Sequence, residues 1–210
     1  MAERVFAEEA QKQLIEGNWR FMNGIPSGPN RTAKRRRELL RGQRPFAAVL
    51  GCSDSRVVPE IIFDTGLGDL FIVRLVGNIA DEGALGSIEF AVENLGVRLV
   101  VVLGHTRCGA VGAVIQNVNY PGHIEHVLDA VRAGMDKARE DPGEGYINCI
   151  LANIEETVRK VAGLSDHFKK MERTGELKVV GALYDLETGD VDFLPEADWP
   201  KAQPEPGEPF

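Results

Sequence analysis

Three cysteines stand in this sequence: Cys52, Cys108 and Cys149. The first opens the run Cys52-Ser53-Asp54-Ser55-Arg56, and the second closes His105-Thr106-Arg107-Cys108. Thiolates and imidazoles are soft or borderline ligands, so Cys52, His105 and Cys108 brought together would suit Zn²⁺. Three protein ligands leave the fourth tetrahedral position open, which is the catalytic rather than the structural arrangement. Asp54 and Arg56 flank the first cysteine. A guanidinium fork matches a carboxylate bidentately, so the two could pair beside a metal. Each signal alone is weak, because a cysteine after a strand is commonly a small core residue. Their combination is far more specific.

Other cysteine chemistries fail on spacing. A Cys-x5-Arg phosphatase loop needs arginine where the chain has Val58, and a Cys-x4-Arg sulfurtransferase loop needs it at Val57. There is no Cys-x-x-Cys for a thioredoxin-type couple and no Gly-x-Ser-x-Gly nucleophile elbow.

The two motifs can meet only if neighbouring strands deliver them. Residues 46–51 (FAAVLG) and 98–103 (RLVVVL) are continuous apolar runs, and each ends at one of the motifs. Residues 70–76 (LFIVRLV) form a third such run. Continuous apolar strands alternating with helical patterns indicate parallel βαβ units buried on both faces. Sites in such sheets lie outside the carboxyl ends of the strands. Helices are expected over 6–22 (Phe6, Ala10, Leu14 and Phe21 inward), 31–41, 59–64, 82–95, 109–118, 123–140 and 146–170. Strands 177–184 and 190–194 flank Glu187-Thr188-Gly189-Asp190 and read as a hairpin. The fold class is therefore α/β. A central, mostly parallel β-sheet is flanked by helices, with an N-terminal helical arm and a C-terminal β-hairpin or edge strands. The arm spans 1–45, the metal-binding α/β domain 46–195, and a Pro/Glu-rich tail 196–210.

Composition sets outer bounds. A chain of 210 residues suggests one domain. Apolar residues at 43% and charged residues at 27% are ordinary for a globular protein and exclude disordered, collagen-like and disulfide-scaffold chains. The net charge of −8 disfavours nucleic acid, whose phosphates need cations. Few and odd-numbered cysteines point to a reducing compartment. Glu3, Glu8, Glu9 and Glu16 leave no room for a secretory leader, and no apolar run reaches the ~20 residues of a membrane span. A cytoplasmic protein with no membrane or nucleic-acid partner is expected. Cys149 reads as core, and His123, His126 and His167 as surface residues. The basic cluster Arg31, Lys34, Arg35, Arg36, Arg37, Arg41 and Arg44 reads as a solvated helix face or a contact with the acidic remainder of the chain.

Cys52-Ser53-Asp54-Ser55-Arg56-Val57, followed by His105-x-x-Cys108-Gly109, resembles the β-class carbonic anhydrases. The likeness also takes in Glu16-Gly17-Asn18, Gly42-Gln43-x-Pro45, Gly66-Leu67-Gly68-Asp69, Val76-Gly77-Asn78 and the hairpin near Tyr184. The resemblance implies one Zn²⁺ per subunit on Cys52, His105 and Cys108, with Asp54 and Arg56 paired beside it. It implies reversible hydration of carbon dioxide to bicarbonate and a proton by zinc-bound hydroxide. It further implies Gln43, Phe71, Val76, Phe90 and Gly109 at the substrate cleft, and a homodimer or a higher homo-oligomer such as a dimer of dimers. Phe90 stands where many members place a tyrosine lent by the partner subunit. Some members carry a bicarbonate regulatory site of Trp, Arg and Tyr. Arg74 and Tyr184 match it here, but Val49 holds the tryptophan position. Two other readings stay open: hydrolysis of carbonyl sulfide or carbon disulfide at the same zinc, and a non-catalytic zinc or redox-sensing protein. The Asp54–Arg56 pair speaks against the latter, since a structural site does not need it.

Overall fold

The computed structural model describes residues 5–135 and 145–195. Five strands form one sheet: β1 (Ala47–Cys52), β2 (Leu70–Leu75), β3 (Leu99–His105), β4 (Lys178–Tyr184) and β5 (Val191–Phe193), in the order β2-β1-β3-β4-β5. All neighbours are parallel except β4 and β5, whose antiparallel register runs from Tyr184↔Val191 to Ala182↔Phe193. The expected hairpin is thus present, and β4 also joins the parallel sheet.

The central strands β1 and β3 are buried throughout because both faces are covered. Ala48, Leu50 and Cys52 of β1 face one core, while Ala47 and Val49 face the other. The first core is closed by α4 (Glu82–Leu95), α5 (Gly109–Ile115), α6 (Ile124–Met135), α7 (Gly145–Ala162) and α8 (Asp166–Arg173). The second is closed by α1 (Ala7–Met22) and α3 (Pro59–Ile62). The remaining helix, α2 (Ala33–Glu38), has no buried residue.

Several expected boundaries move for local reasons. The helix expected over 31–41 becomes α2, capped by Thr32 Oγ1 accepting from Arg35 N–H, followed by a 3-10 turn at Leu39–Arg41. The helix expected over 146–170 is two helices. α7 ends before Gly163, and Ser165 caps α8 by accepting the Phe168 N–H. Strand β2 stops at Leu75, and Val76–Asn78 form a 3-10 turn. The helix over 123–140 begins after His123 and is described as far as Met135. The tail 196–210 lies outside the described residues. Phe6, expected on the inner face of α1, is 72% exposed, because the helix begins one residue later.

The N-terminal arm is docked on the sheet. Gly17 lies so close to α3 that a Cβ there would stand 1.9 Å from the Phe63 carbonyl oxygen. Asn18, buried, donates to the Ile62 and Gly189 carbonyls and accepts from the Val191 N–H. Asp64 is the second anchor. Its buried carboxylate accepts from Arg20 Nε at 2.6 Å, from Ser27 N–H and Oγ, and from Gly28 N–H. Burial opposes its charge, but these donors hold its carboxyl well below the usual carboxylate range. Because the folded state lowers this pKa, the stabilisation is complete above the unfolded value and fades as pH falls from about 5. Asp64→Asn should therefore cost about 3 kcal/mol at neutral pH, the scale for breaking a buried pair. Its deficit relative to the unaltered chain should shrink as the solution is acidified. Urea unfolding at several pH values checks both.

Candidate metal centre

The winding reverses between β1 and β3, so their carboxyl ends open a crevice there. Cys52 is the last residue of β1 and His105 the last of β3. Cys108 is the residue before α5, three beyond His105. The ligand atoms of these three residues all lie within 4.8 Å of one another, and all three residues are buried. They form the one group of this kind among the described residues.

His105 is oriented for ligation. Its Nδ1 stands 2.9 Å from the Thr106 carbonyl oxygen, which can only accept, so Nδ1 carries the proton. The other nitrogen, Nε2, then offers a lone pair. It is buried and has no hydrogen-bond partner, which a metal ion would supply.

The thiols are poised in the same way. The hydrogen bond from Cys108 pushes the Cys52 thiol down against the effect of burial, aided by the N–H groups of Asp54 and Gly77. Cys108, as the donor to that thiolate and itself buried, is pushed up. Without a metal, two adjacent sulfurs share one negative charge, since two bare thiolates would repel. A divalent cation replaces the shared proton and neutralises both. The S₂N donor set and the unpartnered Nε2 thus fit a metal ion.

Asp54 and Arg56 form a closed pair beside this cluster. Arg56 donates from Nε to Asp54 Oδ1 at 2.9 Å and from Nη2 to Oδ2 at 2.7 Å, and its backbone N–H also donates to Oδ1. The guanidinium keeps the Asp54 carboxyl well below the usual range. Arg74 holds the loop from behind, donating to the carbonyls of Cys52 (2.9 Å) and Asp54 (2.7 Å). Of the residues matched to a regulatory site, Arg74 is thus engaged with the metal loop, while Val49 and Tyr184 are buried.

With this geometry, the comparisons with known proteins become informative. A family model described as "Carbonic anhydrase" matches residues 47–191. "Carbonic anhydrase 2" of Mycobacterium tuberculosis is 41% identical over 184 residues, covering 86% of this chain and 89% of the relative.

The chain belongs to the β-carbonic anhydrase family.

The β-carbonic anhydrase CafA of Aspergillus fumigatus is similar in structure, with a TM-score of 0.68 and 30% identity over 82% of this chain and 85% of that one. One of two tetrameric β-carbonic anhydrases from Sordaria macrospora gives a TM-score of 0.68 at 27% identity, over 76% of this chain and 85% of that one.

In this carbonic anhydrase the remaining sequence-derived positions divide. Val76 sits in the turn beside Gly77, whose N–H reaches Cys52 Sγ at 3.3 Å, and Val76 is 40% exposed. Gly109 opens α5 directly after Cys108. Phe71, Phe90 and Gln43 lie elsewhere. Phe71 pairs with Ala48, four residues before Cys52, which at about 3.3 Å per residue puts it about 13 Å away along the strand. Phe90 of α4 stands against Phe71, ring centroids 6.4 Å apart. Gln43 precedes the amino end of β1 and is exposed, in a shallow groove with Arg41 and Arg44. These three lie toward the amino end of the sheet, away from the carboxyl-end crevice of their own chain.

The blander readings also take their places. Cys149 is in the first core. His123 and His126 are exposed, and His167 Nε2 pairs with Glu93 at 3.2 Å. In the basic cluster, Arg31 and Arg35 turn inward to the Thr65 and Leu67 carbonyls, and Arg35 also meets Asp69. No described helix is long and apolar enough to cross a membrane. Sequence reasoning gave no role to Tyr146, whose hydroxyl donates to the Cys108 carbonyl at 2.6 Å, or to Asn153, which donates to the Gly77 carbonyl at 2.8 Å. Both lie on a helix distant in sequence from the motifs, so no local pattern marks them.

Proposed function

We propose that the chain catalyses zinc-dependent, reversible hydration of carbon dioxide to bicarbonate and a proton, with one zinc held by Cys52, His105 and Cys108. The observation that carries this reading is the buried S₂N cluster with its unpartnered His105 Nε2. Bound zinc supplies the Lewis acidity that lets water lose its proton near neutral pH. The two thiolates offset the metal charge, so the activity rises toward alkaline pH more than it would with three histidines. Asp54, locked on Arg56, is kept from competing for the open ligand position. Its free lone pairs can accept a hydrogen bond from the reacting group. Val76 contributes apolar surface at the crevice, fitting a small neutral substrate.

The chain acts as a homodimer or a larger even assembly. Phe71, Phe90 and Gln43 lie at the opposite end of the sheet from Cys52, so they reach a cleft only when a second copy presents them. The cytoplasm suits this site, because Cys52 and Cys108 are free thiols close enough to be at risk of oxidation.

Stopped-flow hydration of carbon dioxide from acid to alkaline pH, with zinc measured on the same sample, tests the reading. One zinc per chain and a rate that climbs with pH are expected. Stoichiometric zinc without hydration at alkaline pH would sink it.

A further inference from the structure

One helix braces the backbone behind all three candidate ligands. Tyr146, near the start of α7, donates to the Cys108 carbonyl. Ile154 lies over Gly104, the residue before His105, so closely that a Cβ on Gly104 would stand 2.5 Å from Ile154 Cδ1. Between them, Asn153 reaches the third candidate ligand through one residue, Gly77, whose carbonyl and N–H lie in successive peptide groups. Its Nδ2 donates to the Gly77 carbonyl at 2.8 Å, and the Gly77 N–H donates to Cys52 Sγ at 3.3 Å.

The backbone at Gly77 has little freedom. Its φ of 70° lies in the left-handed region, which glycine adopts readily. A Cβ there would meet Val131 Cγ2 at 2.9 Å and Ala110 Cβ at 3.1 Å. Asn153 is 2% exposed and is admitted by Gly134 of α6, whose Cβ would stand 3.2 Å from Asn153 Cα. Glycine has no side chain to anchor it, so the orientation of the peptide groups on either side of its Cα depends on what holds their polar atoms.

Building on the proposed zinc site, we propose that Asn153 is a positioning residue that fixes the backbone of Gly77, so that the N–H of this residue stays on Cys52 Sγ. A hydrogen bond stabilises the sulfur lone pairs and reduces the charge they give to a bound metal. Weaker donation leaves a stronger Lewis acid. Asn153 thereby sets the electronic character of a ligand it never touches.

Cobalt(II) in the full-length protein reports this directly, through the energy of the thiolate-to-cobalt charge-transfer band. Asn153→Leu removes the donor at similar volume. Asn153→Asp keeps the shape but sets an acceptor against the Gly77 carbonyl. Both variants should bind cobalt, shift the band to lower energy and lose roughly tenfold in kcat at neutral pH with the zinc enzyme. KM should change little. Val158→Ala, farther along the same helix and buried in the core, should lower Tm without moving the band. A band unmoved in both Asn153 variants, or moved equally by Val158→Ala, overturns the proposal. If Asn153→Leu fails to fold, the isosteric Asn153→Asp decides. A cobalt-loaded unaltered protein with no thiolate band overturns the metal-site reading itself, and this inference with it.

Discussion

Cys52→Ala and Cys108→Ala should each give a folded protein that retains no zinc after dialysis and hydrates carbon dioxide only at the background rate. Each removes one of the two anionic ligands, leaving one thiolate and one imidazole to hold a dication. The loss also leaves the remaining thiol without its sulfur neighbour. In Cys108→Ala, Cys52 loses its strongest hydrogen-bond donor, so its pKa should rise. Thiol titration with an alkylating reagent then shows a less reactive Cys52 at low pH. Cys149→Ala is the matched control: Cys149 is also buried, but in the packing of α7 against the sheet. It should keep its zinc and its activity. Elemental analysis and stopped-flow hydration on the three variants decide the matter. A Cys52→Ala protein with one zinc per chain and full activity would refute the ligand assignment.

Arg56→Ala should retain zinc yet lose activity by about 10–100-fold, the scale for residues that orient a metal site's surroundings. Arg56 occupies both carboxylate oxygens of Asp54 through two side-chain nitrogens and its own N–H. Without that fork, the Asp54 carboxyl returns toward its ordinary range and is free to turn toward the metal. X-ray absorption at the zinc edge should then show a carboxylate oxygen among the ligands. Arg56→Lys should rescue little, because an ammonium is a point charge that cannot span both oxygens. Asp54→Asn should bind zinc and also fall in rate, since the amide presents a poorer acceptor. Full activity in Arg56→Ala, with no carboxylate on the metal, would refute the role given to the pair.

Much of the fold was legible in the sequence. β1 and β3 announced themselves as continuous apolar runs, because a strand covered on both faces needs no polar alternation. The parallel βαβ alternation and the C-terminal hairpin followed from the same patterning. The break between α7 and α8 was harder to see, because apolar spacing carries across Gly163 and masks the Ser165 cap. The exposure of Phe6 was hidden too, since the helix begins after it. Phe71 and Phe90 were harder still. Apolar character at a position does not say at which end of a strand it lies relative to a site, and the register of β1 with β2 settles that.

The sequence by itself determined the donor types of the candidate site and the Asp54–Arg56 pair. That pair is local: one residue separates its members, and the turn that follows β1 brings their side chains together. Only the tertiary structure decided that the motifs meet. Cys52 and His105 share a crevice because β3 hydrogen-bonds to β1 in parallel, and the choice of neighbour in a sheet is made by long-range packing. The same holds for Arg74 behind the loop, and for α7 with Tyr146 and Asn153. These depend on contacts between segments far apart in the chain, and such contacts exist only once apolar burial has brought those segments together.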